Sequence, residues 1–176
     1  MALKGNAVIG QSGGPTIVIN ASLVGAIQAA WDLDEIEHMY GAIHGLDGLL
    51  HEKMCELFSE DPDVVEAMKY VPSAGLGTSR LKPKEADLQR ALEVFKAHNV
   101  RYFFYIGGDD SQSACHMISE LAKGSDWEMR IVGIPKTIDN NLVATDCCPG
   151  FGSAARYAAE CVRSVARDAE AFGNLE

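Results

Sequence analysis

The run Val100 to Ile106 (VRYFFYI), aromatic and β-branched throughout, stops at Gly107-Gly108-Asp109-Asp110-Ser111 and gives way to a helical pattern from about Gln112 to Lys123. Strand, paired glycines, polar residues and helix in that order form half of a βαβ unit. The chain opens in the same way. Asn6 to Gly10 reads as a short buried strand, broken by Gln11-Ser12-Gly13-Gly14-Pro15-Thr16. An apolar-periodic helix follows from about Ile17 to Trp31, with Pro15 where a first turn tolerates it. A third apolar run, Ile131 to Ile134, reads as a buried strand and ends in Pro135-Lys136-Thr137-Ile138-Asp139-Asn140-Asn141. Strands alternating with helices predict a three-layer α/β/α fold with a mostly parallel sheet.

The intervening segments fit that plan. Ile36 to Ala42 suits a second strand, followed by a turn at Gly45-Leu46-Asp47-Gly48, and Pro62 to Tyr70 a short helix. Lys84 to His98 reads as an amphipathic helix with Ala86, Leu88, Ala91, Leu92 and Phe95 on its core stripe. Thr145 to Gly152 breaks the chain before a long helix from about Ser153 to Ala171. A length of 176 residues suits one domain, residues 1–176, with a sizeable core.

Composition narrows the partners. A formal net charge of −10 argues against nucleic acid or an anionic membrane. No apolar run approaches a membrane span, and the N-terminus lacks a signal-peptide layout. The five cysteines show no CxxC spacing, which points to reduced thiols in a cytoplasm. Cys147-Cys148 reads as a pair of small buried residues, and Cys115-His116 as part of a helix. An anionic ligand on so acidic a chain must therefore be met locally, by helix N-termini, a metal and a few cations.

Three strand ends carry groups that could meet one. Gly13-Gly14 offers backbone N–H groups and a positive helix end, although a tight βα turn needs the same glycines with no ligand. Asp109 is a candidate ligand for Mg²⁺, which takes one or two protein carboxylates and completes its shell with water and phosphate oxygens. Asp110 or Ser111 can equally serve as the helix cap. Lys136, Thr137 and Asp139 supply a cation, a hydroxyl and a candidate general base at the carboxyl end of a strand, where open parallel sheets bind ligands. Ser73 to Arg80 is a small-residue loop that can deliver Arg80 to a phosphate, or can be a solvated surface loop. Positioning, charge neutralisation and a proton acceptor are the parts phosphoryl transfer needs. Neither the GxxxxGK[ST] nor the GxGxxG fingerprint is present.

Taken together, SGGP, GGDDS after the aromatic strand, PKTIDN and CPGFGSA resemble the phosphofructokinase family in order and spacing along essentially the whole chain. The resemblance implies that Asp139 deprotonates the 1-hydroxyl of fructose 6-phosphate and that Thr137 contacts the transferring phosphoryl group. It implies Asp109 for Mg²⁺. Gly13, Gly14, Gly108 and Ser111 would line the donor phosphates, Gly13 through its backbone N–H, with Arg80 nearby. The ATP-using branch typically has glycine where this chain has Asp110 and Lys136, and the pyrophosphate-using branch has Asp and Lys. A carboxylate at Asp110 occupies and repels where a nucleotide's inner phosphate would lie, and Lys136 can offset charge on a leaving phosphate. The expected reaction is transfer from pyrophosphate to fructose 6-phosphate in glycolysis, with ATP as the alternative donor and a non-catalytic phosphate-binding module as the alternative role. A homo-oligomer is implied by family habit alone. Asn141 departs from the family's more frequent TIDND, and the sugar-binding Met-Gly-Arg segment falls beyond residue 176. The chain thus reads as the N-terminal part of a longer enzyme, poorly active or inactive alone.

Overall fold

The computed structural model describes residues 3–172. In chain order the elements are β1 (Gly5–Gln11), α1 (Ile17–Trp31), β2 (Ile36–Ala42), α2 (Leu46–Leu50), β3 (Met54–Glu56), α3 (Pro62–Ala67) with a 3₁₀ turn at Met68–Tyr70, α4 (Glu85–Ala97), β4 (Val100–Gly107), α5 (Asp109–Lys123), β5 (Arg130–Pro135) and α6 (Phe151–Ala171). Five strands form one sheet in the order β3-β2-β1-β4-β5. The pairs β1·β2, β1·β4 and β4·β5 run parallel, and only β2·β3 is antiparallel.

Alternation along β1 explains the layers. Ala7 and Ile9 face a core shared with Ile19, Leu23 and Ile27 of α1. Val8 faces the opposite core, with Leu92 and Phe95 of α4 and Ile118 of α5. A central parallel strand covered on both faces has no need of polar alternation, hence its nearly unbroken apolar run. The expected three-layer α/β fold is present.

The boundaries differ in informative ways. The Gly45–Gly48 turn is the start of the short helix α2. On α4, Ala86 is exposed and Val94 is buried instead, because the stripe is set by where the helix meets α5 and β4. Pro15 lies one residue before the extended N-cap Thr16, outside the first turn of α1. β5 is not a buried strand. It is the sheet's edge, and Val132 is 45% exposed. Of the cysteine pair, Cys148 is buried and Cys147 exposed.

α6 begins at Phe151 after Gly150, whose φ of +93° suits a residue without a side chain. An added Cβ there would also sit 3.1 Å from Val18 Cγ1. No residue of α6 is buried, and Tyr157, Val162 and Val165 are among its exposed apolar side chains. Among the described residues no helix is long and apolar enough to cross a membrane.

Strand order decides where a ligand can sit. From β1 the chain winds outward through β2 to one edge, then returns to β4 on the other side of β1. The reversal opens a crevice at the carboxyl ends of β1 and β4, the position at which doubly wound sheets bind ligands.

Candidate functional site

Both glycine turns leave the sheet at that crevice. Gln11 pairs with Ile106 and Gly107 with Pro135, so β1, β4 and β5 end at nearly the same level. Ser12 N–H donates to Ile106 O at 2.9 Å and Lys136 N–H to Gly107 O at 2.9 Å, each carrying the ladder one step past the strands. The chain then turns sharply at Gly13, with φ of +78°.

Two buried contacts that sequence reasoning missed fix these turns. Ser111 Oγ donates to Ser12 Oγ at 2.8 Å, tying the first turn of α5 to the end of β1. Gln11 and Asn20 form a buried amide pair at 3.0 Å. Gln11 Oε1 accepts from Leu76 N–H at 2.9 Å and Asn20 Oδ1 from Gly75 N–H at 2.7 Å, so the pair holds the Ser73–Arg80 loop. That loop is anchored again where Thr78 Oγ1 donates to Gly13 O at 2.7 Å and Gly13 N–H donates to Ser79 O at 2.9 Å. Lone polar residues inside apolar runs were the available signal. Buried polar groups are seldom left unpaired.

Gly107 shows how tightly the second turn is built. A Cβ there would lie 2.1 Å from Ser111 Oγ and 2.4 Å from Ser111 Cβ. Gly107→Ala is expected to destabilise the fold by about 1–3 kcal/mol, because α5 would have to move off the sheet. A thermal melt unchanged from the parent would contradict this.

All the candidate residues named from the sequence line one cavity of about 700 Å³: Gly13, Gly14, Arg80, Gly108, Asp109, Asp110, Ser111, Lys136, Thr137 and Asp139. Their states within it differ from expectation in four places. Gly13 N–H is already bonded to Ser79 O, so it is not free to meet a phosphate without displacing that contact. Ser111 is buried and its hydroxyl is committed to Ser12. Neither Asp110 nor Ser111 caps α5. The N-cap is Gly108, with no side-chain cap, and Asp109 and Asp110 occupy the first turn, where the helix dipole favours negative charge. Asp110 also pairs with Lys82 at 2.9 Å, a cation missed in the sequence although it sits two residues beyond Arg80.

Lys136 is the least ordinary group. Only 4% of it is exposed, and Nζ donates to Ser12 O at 3.2 Å and to Gly14 O at 2.5 Å. It props the β1–α1 turn from beneath instead of standing free in the cavity. Burial, then the charge of Arg80, push its pKa below the ordinary lysine value, while Asp139 pulls it partly back. Thr137 is buried, and its Oγ1 accepts from Asp139 N–H at 3.1 Å, a local turn that fixes the backbone of the candidate base. The residue Asp139 itself is exposed.

Asp109 is exposed, lines the cavity and makes no ion pair among the described residues. Nor do the described residues contain a cluster of three or more His, Cys, Asp or Glu fit to hold a metal ion alone. A lone hard oxygen donor suits a divalent ion that shares its shell with phosphate oxygens and water.

The family model described as Phosphofructokinase matches residues 6–175. A curated relative named pyrophosphate–fructose 6-phosphate 1-phosphotransferase, from Rhodospirillum rubrum, is 44% identical over 169 residues, covering 96% of this chain and 42% of the relative. The solved structure of a pyrophosphate-dependent phosphofructokinase from Nitrosospira multiformis superposes with a TM-score of 0.92 at 39% identity, covering 98% of this chain and 44% of that one. Its counterpart from Marinobacter aquaeolei gives 0.90 at 40% identity, covering 95% and 42%. The chain thus spans about two-fifths of the length of these relatives. With the family model matched over nearly every described residue, and the glycine turns and Pro135–Asn141 stretch converging on one cavity, the chain belongs to the phosphofructokinase family.

Proposed function

We propose that residues 1–176 form a single phosphoryl-donor-binding domain of a pyrophosphate-dependent 6-phosphofructokinase. The observation that carries the donor is the presence in one cavity of both Asp110, at its lining, and Lys136, beneath the β1–α1 turn. Asp110 and Lys136 flank a space suited to a compact diphosphate, and Asp110 opposes the continued chain of a nucleotide. The names of the relatives support the same donor.

On this reading the chemistry is an in-line phosphoryl transfer. Asp139 accepts the proton of the sugar's 1-hydroxyl as that oxygen forms a bond to one phosphorus of pyrophosphate. The bridging P–O bond breaks, and inorganic phosphate leaves with the electron pair. Thr137, held by its turn with Asp139, contacts the moving phosphoryl group. Lys136 and Arg80 offset the charge that develops on the leaving phosphate. Asp109 would hold Mg²⁺, which supplies charge neutralisation on the phosphate oxygens when bound. The chain spans about two-fifths of the length of its relatives, and alone it is expected to turn over little or no sugar.

Calorimetry with Mg²⁺ present tests the donor. The chain is expected to bind pyrophosphate at least about tenfold more tightly than ATP, a difference of roughly 1.4 kcal/mol. Equal or tighter ATP binding would assign the cavity to the ATP-using branch.

A further inference from the structure

Lys82 has no role in the assignments above, yet its Nζ lies 2.9 Å from Asp110 Oδ2, with the side chains 77% and 68% exposed. Such an exposed pair adds little to stability. Both residues line the donor cavity. They also come from different walls of it: Asp110 from the first turn of α5, Lys82 from the segment that leaves Ser79. That segment has a fixed origin, because Ser79 O accepts from Gly13 N–H and Ser79 Oγ from Leu81 N–H at 3.0 Å. The pair therefore links the two segments at the cavity's edge.

An anion-binding cavity with a bare carboxylate at its edge works against itself. Unpaired, Asp110 repels any phosphate, compact or extended. Paired with Lys82, it keeps its bulk and its position while most of its field is cancelled. We propose that Lys82 is a positioning residue for donor selectivity, masking Asp110 toward a diphosphate and forming with it a strap that a longer polyphosphate chain must break. The inference rests on the pyrophosphate reading above and extends it to a residue outside the motifs.

Calorimetry on the 176-residue chain with Mg²⁺, using pyrophosphate and linear tripolyphosphate, tests it in four proteins: parent, Lys82→Gln, Asp110→Asn and the double variant. Lys82→Gln is expected to weaken pyrophosphate binding about tenfold, because Asp110 is left bare at the edge. The double variant should return to within about threefold of Asp110→Asn, the signature of coupling through one contact. It should also gain affinity for tripolyphosphate relative to pyrophosphate. Lys82→Arg, which keeps the pair, should bind as the parent does. The gap between parent and Lys82→Gln should shrink as salt rises from about 50 to 500 mM, which a purely structural loss would not do. Unchanged pyrophosphate affinity in Lys82→Gln overturns the inference, as does a double variant whose losses simply add. A parent chain that binds no pyrophosphate overturns the donor reading itself and this inference with it.

Discussion

Asp139→Ser, assayed in a polypeptide extended to the length of its relatives, is expected to lower kcat by about 10²- to 10⁴-fold, the range lost with a general base. The KM for pyrophosphate should move by less than about threefold, since the carboxylate acts on the sugar hydroxyl's proton and not on donor binding. The structure makes the test clean. Asp139 is exposed, and the one contact that fixes its backbone, N–H to Thr137 Oγ1, survives in serine. A loss of rate therefore cannot be put down to a disturbed turn. Turnover within a few-fold of the parent would rule Asp139 out as the base, and a large rise in KM with kcat intact would make it a binding group instead.

Lys136→Met should show two losses at once. Methionine keeps length and bulk but removes the charge and the donors to Ser12 O and Gly14 O, leaving two carbonyls unpaired beneath the β1–α1 turn. A cost of about 1–3 kcal/mol in stability is expected, readable as a lower Tm. Pyrophosphate affinity should fall by about 10- to 100-fold, because a partly desolvated cation beside the anion is lost together with the shape of the turn. A variant that binds pyrophosphate like the parent would remove Lys136 from donor recognition.

The ionisation of Lys136 allows a pH test on the parent. Its pKa is lowered, first by burial and then by Arg80, so in the folded protein charging it is unfavourable relative to the unfolded chain. That penalty is present below the folded pKa and is relieved as pH rises through it toward the ordinary 10.5. The unfolded chain binds more protons in that window, so the contribution of Lys136 to stability rises with pH there. Pyrophosphate affinity moves the other way, since binding uses the charge. Melts and binding titrations of parent against Lys136→Met across that window isolate the lysine from other titrating groups. Opposite trends are expected in the parent-minus-variant differences, and flat differences in both would contradict the lowered pKa.

Prediction from sequence succeeded where the controlling physics is local. Residue period, β-branched content and glycine turns are properties of a few consecutive residues, and β2 and α1 accordingly fall where their patterns put them. Burial along a whole element was less legible. β5 carries the apolar run of a central strand but lies at an edge, and Ala86 lies on the predicted stripe of α4 yet faces outward. Whether a side chain is covered depends on which neighbour arrives, and no window of consecutive residues contains the neighbour.

The same distinction runs through the site. Sequence by itself determined the alternation of strands and helices and the two glycine turns, and it singled out Asp109, Asp110, Lys136, Thr137 and Asp139 as candidates for phosphoryl chemistry. Tertiary structure decided that β4 lies beside β1, which opens the crevice where the set can meet. It also spent groups that composition left free: Gly13 N–H on Ser79, the Ser111 hydroxyl on Ser12, Lys136 on two carbonyls, and Asp110 on Lys82. Hydrogen bonds and ion pairs act over about 3 Å, whereas their partners stand up to 124 residues apart in the chain, and only folding brings them within that reach.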